Sequence, residues 1–110
     1  MRRTKSEKVQ AGGWRIGSTA EFLDLSPDEV ALIEIKSRLA KALRERRVHK
    51  RLTQTQLAKL LHSSQSRIAK MEVADASVSV DLLMRALLSL GYSPQDLARV
   101  IQARRSQKVA

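Results

Sequence analysis

The chain has 110 residues and a mass of 12.3 kDa, room for one domain with a real core, since 43% of it is hydrophobic. It holds 21 Lys and Arg against 11 Asp and Glu, a net charge of +10, which favours accumulation at polyanions through counterion release. Three aromatics and no cysteine argue against base-stacking single-strand binders, disulfides, thiol catalysis and thiolate zinc sites.

The charge is unevenly spread. Residues 1–13 are basic (Arg2, Arg3, Lys5, Lys8) and end in Gly12-Gly13, the composition of a flexible arm. Residues 14–35 are acidic (Glu21, Asp24, Asp28, Glu29, Glu34) with Trp14, Ile16, Phe22, Leu23 and Leu25 interspersed. They form an extension expected to face something other than a polyanion. Residues 36–104 make the main domain, and 105–110 a basic tail. No apolar run approaches the roughly 20 residues a membrane span needs, and no secretory segment follows Met1. A cytoplasmic protein is expected.

From Ser26 onward the expected elements are all helices. Ser26-Pro27-Asp28-Glu29 reads as a capping box with proline at the first helical position. Leu32, Ile35, Leu39 and Leu43 follow at helical spacing. The pattern predicts a long first helix to about His49, some 34 Å by the rise of about 1.5 Å per residue, with a cationic end (Arg44, Arg46, Arg47, Lys50, Arg51) that suits its dipole. Thr53-Gln54-Thr55-Gln56 is a second capping box, opening a short helix over 54–61 pinned by Leu57, Leu60 and Leu61. Ser64 caps a third over 65–73, with Ile68 and Met71 to bury and a polar opposite face. Ser79 caps a fourth carrying Leu82, Leu83, Ala86, Leu87 and Leu90, and Gly91 ends it. Ser93-Pro94-Gln95-Asp96 begins a fifth with Leu97, Val100 and Ile101 on one side. The architecture is five-helix and all-α.

Two short helices joined by about three residues are a helix-turn-helix. Its second helix must bury a narrow stripe and expose hydrogen-bonding side chains to a major groove. Gln65 and Lys70 lie opposite Ile68 and Met71, so both suit base reading; glutamine pairs bidentately with adenine, lysine or arginine with guanine. No Ser/His/Asp set or glycine-rich phosphate loop is present. Neither an enzyme, a cofactor, a metal nor a small-molecule ligand is expected.

The run from Leu52 to Leu61, followed by Ser63-Ser64-Gln65-Ser66-Arg67-Ile68-Ala69-Lys70-Met71-Glu72, resembles the phage repressor/Cro (Xre) helix-turn-helix family. The family's usual turn glycine is His62 here. The resemblance reaches loosely from Leu39 to Leu90 and implies a five-helix lambda-repressor-like fold, with an extended first helix and an N-terminal extension here. It implies base contacts by Gln65, Ser66, Arg67 and Lys70, and phosphate contacts by Thr53, Gln54, Ser64, Ser77 and Ser79. Glu72 falls at a structural position, expected to bond near Arg44.

A single recognition helix reads about four base pairs, so a homodimer on a palindromic double-stranded operator is expected. Leu97, Val100 and Ile101 either form the dimer surface or close the monomer core. The protein is then a stand-alone regulator of Xre type, or a repressor that also neutralises a protein. Antitoxins of HigA type resemble this chain in size and in their N-terminal extension, and a toxin would be met by Trp14, Phe22, Leu23 and Leu25. A non-specific basic nucleic-acid coat is the third reading.

Overall fold

The computed structural model describes residues 24–102; within them the chain is all-helical. The helices are α1 (Pro27–His49), α2 (Gln54–Leu60), α3 (Gln65–Glu72), α4 (Val80–Ser89) and α5 (Pro94–Gln102). The arm, most of the extension (Trp14, Phe22 and Leu23 included) and the basic tail lie outside the described residues. Leu25 is half-buried. The chain divides into two units at Glu34/Ile35, within α1.

Among the described residues, the N-terminal unit holds the start of α1. The Ser26 backbone N–H donates to Glu29 Oε1 at 2.8 Å, and Glu29 N–H to Ser26 Oγ at 3.2 Å. The capping box is therefore real. Leu32 departs from expectation: it is 54% exposed and Ile33 is 40% exposed. Val30, Ala31, Leu32 and Ile33 are consecutive, so their side chains fan around the helix and form no stripe.

The second unit carries the core. From α1 it takes Leu39 and Leu43, from α2 Leu57, from α3 Ile68 and Met71, and from α4 Leu83 and Leu87; all are essentially inaccessible. Ala40, Ala42, Ala58 and Ala86 fill the narrow gaps between them. Leu97 of α5 is also buried, with Val100 and Ile101 partly buried against the same core. Leu97 thus closes the monomer, one of the two roles its sequence left open. Leu60 corrects the sequence reading: it is 58% exposed. Helix α2 has only two turns, and its inner side is taken by Leu57 and Ala58, with Leu61 half-buried behind them.

The starts of the helices follow a repeated local chemistry. Thr53 and Gln56 form a reciprocal box (3.0 and 2.8 Å), and so do Ser93 and Asp96 (3.0 and 2.9 Å). Hydrogen bonds from Ser93 hold the Asp96 carboxyl below its ordinary value. Ser64 Oγ accepts from Arg67 N–H and Ser79 Oγ from Leu82 N–H.

The first four helices all end in a left-handed residue: Arg51 (φ 61°), His62 (φ 55°), Ala74 (φ 55°) and Gly91 (φ 99°). In each case the next residue's N–H reaches back to a carbonyl five positions earlier: Leu52 to Arg47, Ser63 to Ala58, Asp75 to Lys70 and Tyr92 to Leu87. That is the Schellman arrangement. Only Gly91 adopts it without a Cβ penalty. Left-handed backbone costs an ordinary residue about 1–2 kcal/mol, while glycine adds unfolded-chain entropy of about 0.4–1 kcal/mol. Ala74→Gly is therefore expected to stabilise the domain by roughly 0.5–1 kcal/mol, read as a higher urea midpoint. An unchanged or lowered midpoint would contradict the strain assigned to Ala74.

Candidate nucleic-acid interface

Helix α3 is fixed by its buried stripe. Ile68 and Met71 are 0% and 2% exposed, while Gln65, Ser66, Arg67 and Lys70 are all on the exposed side. His62 takes the left-handed conformation that the sequence required of the turn, and Ser64 caps the helix that follows. The polar side chains are thus presented outward along a helix seated by its buried stripe.

Ser64, Ser66, Arg67 and Lys70 form one wall of a shallow cleft of about 320 Å³. The opposite wall is Ser77 and Val78 of the loop and Leu82 of α4. Sequence reasoning missed Val78, an isolated apolar residue in a polar run. It is 4% exposed and anchors the loop. Asp75 shapes the same loop: Ser77 donates to its Oδ2 from N–H (2.9 Å) and from Oγ (2.6 Å). These bonds hold the Asp75 carboxyl below its ordinary value, with Lys70 and Lys36 adding to the effect.

The sequence-expected phosphate ligands differ in what they have left to offer. Thr53, Ser64 and Ser79 cap helices by accepting through oxygen, a role that does not consume the hydroxyl proton. Ser77 spends both of its donors on Asp75. A phosphate contact from Ser77 requires that pair to open.

Behind Gln65 runs a chain of hydrogen bonds. Gln65 Nε2 donates to Gln54 Oε1 at 2.6 Å, and Gln54 Nε2 to Glu72 Oε1 at 3.1 Å. Arg47 grips the same carboxylate twice, Nε to Oε2 at 2.6 Å and Nη2 to Oε1 at 3.1 Å. Its Nη1 donates to the Leu52 carbonyl at 2.8 Å. The Glu72 side chain is 2% exposed and that of Arg47 15%. Glu72 thus has the structural role expected of it, and its partner is Arg47 of α1, three residues beyond Arg44. The 11-residue separation of Gln54 and Gln65 carries no local pattern, so sequence alone could not reveal their bond.

The cationic end of α1 lies in the same unit. Arg44, Lys50 and Arg51 are exposed, and the Arg46 guanidinium lies 5.5 Å from the centroid of the Tyr92 ring, within cation–π range. Arg38 Nη1 donates to the Ile101 carbonyl at 2.9 Å, tying α1 to the end of α5. Among the described residues no cluster of His, Cys, Asp and Glu could hold a metal, and no helix is long and apolar enough to cross a membrane.

Two short helices, a left-handed turn and an outward polar face on the second helix define a helix-turn-helix protein. A protein-family model described as a helix-turn-helix domain matches residues 21–95, and the chain belongs to that family. Comparisons with curated proteins and with solved structures gave no match.

Proposed function

We propose that the protein is a sequence-specific, double-stranded DNA-binding regulator that places α3 in the major groove. The observation that carries this is the division of α3 into a buried Ile68/Met71 stripe and an exposed set of Gln65, Ser66, Arg67 and Lys70. These four read base edges. Thr53, Gln54, Ser64 and Ser79 hold phosphates, and Ser77 joins them only if released by Asp75. The net +10 charge supplies the sequence-independent part of the affinity. Kinship to the Xre repressors rests on the Leu52–Glu72 pattern.

One recognition helix covers too few base pairs for a genomic address, so two copies bind a palindromic operator. Val100 and Ile101, partly buried on α5 above Leu97, are the surface assigned to the second copy. Gln65→Ala should lower discrimination at one base pair of each half-site by roughly 1–3 kcal/mol. Selection from a randomised duplex library, followed by competition gel shifts at stated salt, reads this directly. A shallow preference among all sequences would replace the proposal with non-specific coating.

A second reading is favoured by the N-terminal unit. Asp28 and Glu29 stand in the first turn of α1 beside exposed Leu32 and Ile33. An acidic surface with exposed apolar side chains suits a cationic protein, and a repressor of this form would act as the antitoxin of a basic toxin. Relief of growth arrest on co-expression with a short basic protein encoded by the adjacent gene tests it. Failure of relief removes the antitoxin role and leaves the stand-alone repressor.

A further inference from the structure

We infer that buried Glu72 sets the hydrogen-bond polarity of exposed Gln65, and that this makes the site accept adenine and reject guanine at the base pair Gln65 reads. The inference rests on the DNA-reading proposal above. It starts from donor bookkeeping. A carboxylate only accepts hydrogen bonds, and Glu72 already receives two from Arg47. The Gln54 amide can therefore meet Glu72 only through Nε2, as it does. Its Oε1 is left to accept, and it faces Gln65, which turns Nε2 inward to donate.

Each amide nitrogen has two protons. Gln54 uses one on Glu72 and keeps one for a phosphate oxygen. Gln65 uses one on Gln54 and keeps one proton and its whole Oε1 for the groove. One donor beside one acceptor matches adenine, whose N7 accepts and whose N6 donates. Guanine presents two acceptors, O6 and N7, and would face Oε1 with an unsatisfied clash of lone pairs. A Gln65 amide free to flip could instead aim both protons at guanine. The buried ion pair removes that freedom, because the flipped chain would set Gln54 Oε1 against the carboxylate. Glu72 is thus a positioning residue for specificity and touches no base.

The test compares the wild-type full chain, Gln65→Ala, the double variant Arg47→Met/Glu72→Met and the single variant Gln54→Met. The probes are the duplex selected from a randomised library and its copy with guanine in place of adenine. The adenine is the one whose preference Gln65→Ala abolishes. The wild type should favour adenine by tenfold or more, in keeping with about 5- to 150-fold for a good bidentate contact. The double variant, in which apolar side chains replace the ion pair, should lose most of that ratio by gaining affinity for the guanine duplex. Discrimination at the other operator positions should be kept. Gln54→Met, at a half-buried surface position, should collapse the same ratio and serves if the double variant fails to fold. A folded double variant, or Gln54→Met, that keeps the full adenine-over-guanine ratio overturns the inference. A wild type with no preference at any position that Gln65→Ala alters overturns the DNA-reading proposal instead.

Discussion

Ile68→Asp should abolish cooperative folding. Ile68 is fully buried between the short helices and the rest of the core. Removing its aliphatic side chain costs about 2–5 kcal/mol in lost transfer and cavity terms, and a carboxylate there has no partner, so several kcal/mol more are added. A domain of this size has about 5–10 kcal/mol to lose. Circular dichroism on heating should therefore show no cooperative melt near the wild-type temperature. A sharp transition within a few degrees of wild type would mean that α3 is not seated by Ile68, and its polar face would have no fixed direction.

Glu72→Ala should be the next most damaging change, for a different reason. It leaves the Arg47 guanidinium, 15% exposed, without its carboxylate, and also unties Gln54. Breaking a buried pair from one side costs about 3–5 kcal/mol. The residual exposure of Arg47 places the expected loss near 3 kcal/mol, a fall of roughly 12–24 °C in Tm. Removing both charges together is milder, because the cost lies in the stranded ion and not in the absent pair. Arg47→Met/Glu72→Met should recover most of the lost stability. If the double variant were as unstable as Glu72→Ala, the ion pair itself would be the stabilising element and the desolvation argument would fail.

The helix starts were legible because their chemistry is local. Ser26/Glu29, Thr53/Gln56 and Ser93/Asp96 are each spaced three apart, and each pair closes a reciprocal box. The left-handed turn at His62 was legible through the family pattern. Its counterparts at Arg51 and Ala74 were not, since neither residue type signals positive φ. Leu60 misled because two turns of helix offer too short a period to tell which leucine faces inward. Val78 escaped notice because one apolar residue in a loop has no period at all. Around the interface, exposure of Gln65 and Lys70 followed from helical spacing against Ile68 and Met71. The Gln65–Gln54–Glu72–Arg47 chain did not, because its members come from three helices and meet only in the folded state. The resemblance pointed Glu72 toward α1 near Arg44, and its partner there is Arg47, three residues further on.

The outward face of α3 is best tested on the full chain, labelled with nitrogen-15 and titrated with the duplex selected from a randomised library. The backbone amides of Gln65, Ser66, Arg67 and Lys70, and the side-chain amides of Gln54 and Gln65, should shift most, while those of Leu83 and Leu87 in the core stay still. Large shifts along α5 with a silent α3 would contradict the account.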